Sequence, residues 1–136
     1  MVRVLCVGAL LLVVISCQLP PERTPLREVP NDAVALPYAE LLTRARTQAT
    51  TATAAFYVNK WEDLEDSARG LEQTARFLPK ALEVPAKQKD TLASISADLG
   101  KEAVKLREAA KNHVVKDATE TLQRVNLMVR ELRLDK

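Results

Sequence analysis

The sequence predicts an all-α chain folded as an antiparallel four-helix bundle, on three observations. Composition favours helix: aromatic residues make up 4% of the 136 and glycine occurs 3 times, while Ala, Leu, Lys, Arg and Glu dominate. From Tyr38 onward, apolar residues recur every three and four positions in four separate stripes. Each stripe is out of phase with the one before it in its half of the body, so a turn must intervene. Four amphipathic helices of about twenty residues, joined by short connections, bury their stripes most simply as an antiparallel bundle.

The chain divides into three parts: residues 1–16, 17–37 and 38–136. The first reads as an export signal, with Arg3 and the terminal amine ahead of the apolar run Val4 to Ile15. As a helix that run would span roughly 18 Å, well short of the ~30 Å hydrocarbon layer, so it does not suit a permanent transmembrane anchor. Its end, Val14-Ile15-Ser16-Cys17, resembles the bacterial lipobox, with Val14 where the pattern usually has Leu. The resemblance implies cleavage before Cys17 and lipid on its sulfur and its new amine, an anchor of two or three acyl chains. Gln18 in place of Asp after the lipidated residue resembles lipoproteins sent to the outer membrane. The only other cysteine, Cys6, lies inside the signal, so the exported body contains no internal disulfide. Pro20, Pro21, Pro25, Pro30 and Pro37 follow among polar residues and predict an extended, solvated tether.

Leu42, Ala45, Ala49, Ala52 and Phe56 form the first stripe, and Trp61, Leu64, Ala68, Leu71, Ala75, Leu78 and Leu82 the second. Continuing the first would place Asn59 and Asp63 in the seam, so a break is expected near Asn59. There Asn59-Lys60-Trp61-Glu62 has the spacing of a capping box. Pro79 and Pro85 are expected to close the second helix and open the third. The third stripe is Leu92, Ile95, Leu99, Ala103, Leu106 and Ala110; the fourth is Val115, Ala118, Leu122, Val125, Val129 and Leu132. The phase slip between them predicts a turn at 112–114. Glu40/Arg44, Glu65/Arg69, Glu72/Arg76 and Glu120/Arg124 are four apart with the acid first, the stabilising order for solvated pairs on exposed faces.

The stretch from Trp61 to Arg133 resembles the cytochrome c′ superfamily of haem-carrying four-helix bundles, and more closely its envelope-lipoprotein relatives. In those cytochromes the last helix carries Cys-x-x-Cys-His with Arg four residues later. Anchored on Arg133, the matching positions here are Val125, Asn126, Leu127, Met128 and Val129, so both thiols and the imidazole are missing. Covalent haem is therefore excluded. His113 and Met128, the only other axial candidates in the exported chain, would lie about 22 Å apart along one helix, too far to share an iron. His113 is expected as a solvated turn residue and Met128 as packing.

Several function classes fall away on residue supply. A single histidine cannot furnish a ferritin-like di-iron site or an ordinary zinc site. Ser67, Ser94 and Ser96 are candidate nucleophiles with His113, but no nucleophile-elbow glycines frame them. Asp63/Asp66 and Asp98/Glu102 are carboxylate pairs at a spacing typical of a wet helix face. A net charge of +2 with interspersed signs creates no field for nucleic acid. The expectation is a noncatalytic envelope lipoprotein without cofactor or metal, its lipid on Cys17, facing the periplasm from the outer membrane. It would bind a protein partner or a small apolar ligand. The alternative is a cytochrome-like protein that binds haem noncovalently.

Overall fold

The computed structural model describes Glu28, Pro30 and residues 35–132. The expected signal (1–16), Cys17 and most of the expected tether (17–37) lie outside the described residues. The described chain is all helical: α1 (Tyr38–Tyr57), α2 (Trp61–Phe77), a 3-10 turn (Leu78–Lys80), α3 (Ala86–Lys89), α4 (Leu92–Lys111) and α5 (Val115–Glu131). The five helices pack on one apolar core. Among the long ones, α2 lies against α1 and α4, and α5 lies against α4 and α1.

The stripes are the core. Leu42, Ala45, Ala49 and Ala52 of α1, Leu64, Ala68, Leu71 and Ala75 of α2, Leu99, Ala103 and Leu106 of α4, and Ala118, Leu122, Val125 and Val129 of α5 are all buried. Phe56, Trp61 and Ile95 are partly buried against that core, and two stripe ends are exposed. Leu82 is 48% exposed, because Pro79 ends the helical period and the chain leaves α2 before reaching it. Val115 is 56% exposed, since it opens α5 beyond the last layer of the core. Pro85 opens α3, a single turn, and the third stripe begins afresh at Leu92, so five helices stand where four were expected.

Neither long turn contains glycine. Asn59 (φ 56°) and His113 (φ 54°) are both left-handed, and each ends its helix in the same way. The Lys60 amide donates to the Ala55 carbonyl and the Val114 amide to the Ala109 carbonyl, both at 2.9 Å. The Asn59 and His113 amides donate one turn earlier, to Phe56 and Ala110, which completes the hydrogen-bond pattern of a Schellman motif at each turn. The expected capping box is absent: Lys60, not Asn59, stands at the N-cap, with no side-chain cap bond. Asn59 is committed to ending α1, and its left-handed backbone places it one residue too early to cap α2.

These two turns belong to two matching hairpins. Helices of 20 and 17 residues make up the first (α1, α2), and helices of 20 and 17 make up the second (α4, α5). Tyr38 corresponds to Leu92, Asn59 to His113 and Phe77 to Glu131. Burial corresponds too: Ala45 with Leu99, Ala52 with Leu106, Ala68 with Leu122 and Leu71 with Val125. Even buried polar residues match, Gln48 with Glu102 and Ser67 with Thr121. Small residues in one hairpin stand where large ones stand in the other, so the two faces differ in relief.

At the opposite end from these turns, the chain enters and leaves the core. The Tyr38 amide donates to the Leu82 carbonyl (2.8 Å) and the Leu82 amide to the Leu36 carbonyl (2.9 Å), pairing the entry segment with the connection between hairpins. The buried Tyr38 hydroxyl donates to the Leu132 carbonyl (3.0 Å).

Leu71 is wholly buried at mid-helix. Leu71→Ala is expected to cost about 2–5 kcal/mol in urea denaturation followed by Trp61 fluorescence. The two helical glycines should respond in opposite ways. A Cβ on Gly100 would meet the Ala75 Cβ at an ordinary 3.6 Å, so Gly100→Ala should gain about 0.5–1 kcal/mol from helix propensity. At Gly70 a Cβ would lie 2.6 Å from the Gln48 amide nitrogen. Gln48 is buried and accepts from the Thr74 hydroxyl at 2.8 Å, so Gly70→Ala should lower the urea midpoint despite the better helix former.

Candidate functional site

The described body offers three places to look for chemistry: the positions matching a haem motif, the buried ion pairs, and the groove between α2 and α4. Among the first, Val125 and Val129 belong to the core, and the half-buried Met128 packs against it. Asn126 donates to the Thr53 hydroxyl (3.2 Å) and to the Leu122 carbonyl (2.9 Å), tying α5 to α1. Leu127 faces outward, 56% exposed. His113 lies in the α4–α5 turn with its ring stacked on Trp61, centroids 5.1 Å apart. Trp61 in turn meets Phe56 edge-on at 5.9 Å, so the only tryptophan packs at one end of the helices beside two other elements. The structure does not bring His113 and Met128 together, since they stand at opposite ends of α5.

The serines do not approach His113. Ser67 donates to the Asp63 carbonyl at 2.8 Å, and the buried Ser96 to the Leu92 carbonyl at 2.6 Å. Ser94 lies exposed at the start of α4, at the other end of the body from His113. Among the described residues no group of three His, Cys, Asp or Glu is placed to hold a metal ion.

Two acids differ from the sequence expectation. Glu102 is only 7% exposed, not part of a wet face. It accepts from Lys105 (2.6 Å) and from Arg124 of α5 (2.7 Å), while Arg124 also reaches the Thr121 hydroxyl. Burial opposes ionisation of Glu102, but the hydrogen bonds and charges of Lys105 and Arg124 outweigh it and hold the carboxyl below the usual glutamate range. Glu72 is not a solvated pair with Arg76 either. Its side chain is 12% exposed, bonds to Arg76 and also pairs with Arg107 of α4 at 2.9 Å. The remaining pairs do behave as surface pairs, with Glu40–Arg44 at 3.1 Å and Glu65–Arg69 at 3.2 Å. Spacing within a helix revealed Arg76 and Glu120 as partners; nothing in it pointed to Arg107 or to Glu102, which come from the neighbouring helix.

The groove between α2 and α4 has a volume of about 420 Å³. Ala75, Pro79, Ala93, Ala97, Gly100 and Val104 form its floor and walls, with Arg76 and Lys101 on its rim. Small side chains let the two helices approach while leaving an apolar trough above them. No helix among the described residues is long and apolar enough to cross a membrane. Compared with family models, with curated proteins and with solved structures, the chain matches none.

The Glu102 carboxyl should make stability depend on acid. Its folded pKa lies below its unfolded one, so its contribution is full above the ordinary glutamate value of about 4.3 and is lost as pH falls through the folded pKa. Glu102→Gln should lower the melting temperature at neutral pH and converge with the wild type in acid. Scanning calorimetry across that range checks it. In double-mutant cycles, Glu72 with Arg107 should couple more strongly than Glu40 with Arg44, which should fall within about 0.3–0.5 kcal/mol.

Proposed function

We propose that the chain is a lipid-anchored bacterial envelope lipoprotein whose body is an antiparallel four-helix bundle, cytochrome c′-like in shape and without haem, acting as a noncatalytic binding or structural module. The observation that carries the reading is Val14-Ile15-Ser16-Cys17 at the end of a short apolar run, ahead of a proline-rich stretch and a body without cysteine. The circuit of contacts from α1 to α2, α4, α5 and back to α1 supports the bundle. The apolar trough between α2 and α4 supports a protein partner or a small apolar ligand over a reacting substrate. The lipid at Cys17 holds the body on the periplasmic side, with Gln18 favouring the outer membrane.

Cys17→Ala should leave the protein unprocessed or release it from the membrane fraction, and radiolabelled palmitate should enter the wild type only. Wild type free of label in the periplasm would overturn the reading. Adding haem to the purified body should give no stoichiometric uptake and no sharp Soret shift; either would favour a noncovalent haem protein instead.

A further inference from the structure

The two hairpins meet along two seams, α2 on α4 and α1 on α5, and each seam pairs a helix of 20 residues with one of 17. The correspondence that sets Tyr38 on Leu92 exchanges these seams, so like positions face each other in both. It sets Glu72 on Asn126 and Thr53 on Arg107, and both pairs form a bridge. Glu72 meets Arg107 across the first seam at 2.9 Å, and Asn126 donates to the Thr53 hydroxyl across the second at 3.2 Å. Parting the first seam separates opposite charges; parting the second breaks a hydrogen bond between neutral groups. The packing differs as well. Ala75 faces Gly100 across the first seam, so closely that an alanine Cβ at position 100 would lie 3.6 Å from that of Ala75. The corresponding positions of the second seam hold Val129 and Arg46. Helix separation follows the bulk of the side chains at the contact. Among neighbouring long helices, α2 and α4 accordingly make the most extensive contact, and α1 and α5 the least.

Connectivity widens the difference. Residues 78–91 join α2 to α4 at one end, and at the other His113 stacks on Trp61, the first residue of α2. No loop joins α1 to α5, which come first and last of the described helices; the Tyr38 phenol bond to Leu132 ties them at one end. We propose that the body is a clamshell: α2 and α4 form its hinge, and the α1–α5 seam opens and recloses in the native state while each hairpin stays folded. Opening brings the buried faces around Leu42 and Val129 into water but keeps every helix, both Schellman turns and the hinge contacts. A partial opening of this kind lies below global unfolding in free energy. It is a property of the body, independent of any acyl group on Cys17.

The chain from Gln18 onward contains every described residue and no cysteine, so a single introduced thiol is the only one to react. Val129→Cys and Ala75→Cys place it at corresponding positions of the two seams, where the native side chains are 5% and 4% exposed. Each is labelled with a thiol reagent across a range of urea, and each rate is taken relative to that of the unfolded chain. Without urea, Val129→Cys should label at least about tenfold faster than Ala75→Cys. Its rate should depend little on urea, because the opening exposes little surface, whereas Ala75→Cys should show the full slope of global unfolding. Arg107→Gln separates the two routes. The hinge contact that it removes persists in the open clamshell, so this variant should speed labelling of Ala75→Cys several-fold and leave that of Val129→Cys unchanged. Asn126→Ala removes a bond that both routes break, and should speed both by roughly two- to tenfold, the worth of one hydrogen bond. Leu42→Cys and Ser96→Cys, both at buried positions, repeat the comparison from the partner helices. Equal urea slopes at the two seams overturn the proposal. So does faster labelling at the α2–α4 seam, or an Arg107→Gln effect of the same size at both.

Discussion

The packing of α2 on α4 is the contact on which the rest of the body depends. Each hairpin is held by its own three-residue turn, but the hairpins are joined in sequence only through the 3-10 turn, α3 and their flanking residues. Their mutual burial must come from faces that fit. Between α2 and α4 the fit is close because Ala75 and Gly100 oppose each other, and the Glu72–Arg107 pair spans the same seam. The described residues contain no cysteine, so no disulfide reinforces it. Apolar burial and a few half-buried ion pairs supply the cohesion, and a net stability of the usual 5–15 kcal/mol rests on them.

The long helices and their turns were legible in the sequence because the apolar stripe shifts phase at each turn. A shifted stripe cannot stay on one face of an unbroken helix, so the breaks near Asn59 and at 112–114 were forced by periodicity alone. How those breaks are built was not legible. A capping box and a Schellman ending can share the same residues, and Asn59 satisfies either until its backbone is known to be left-handed. The single turn α3 has no stripe of its own and too few residues to display a period.

For the candidate site, the absence of a haem motif could be read directly, since it is a matter of which residues occupy five positions. The buried acids could not. Glu72 and Glu102 each have a partner within their own helix at surface-pair spacing, and only tertiary packing brings Arg107 to one and Arg124 to the other. The correspondence of the two hairpins was equally hidden, because it resides in which positions are buried and not in which residue types fill them. Ala45 and Leu99 occupy the same place in the architecture with different volumes. The exposure of Val115 escaped notice for a related reason: it counted as core until the helices were assembled.

The anchorage of Tyr38 has a mechanical consequence. Any load arriving from the preceding chain reaches the body at Leu36, where it does not meet the free end of a helix. It meets a clamp made of two backbone bonds to Leu82 and the phenol bond to Leu132. A pull is thus divided between the middle of the chain and its last described turn, and α1 cannot be peeled away residue by residue until those bonds break together. An attachment that shares tension in this way gives the body a toughness that a free helix end would lack.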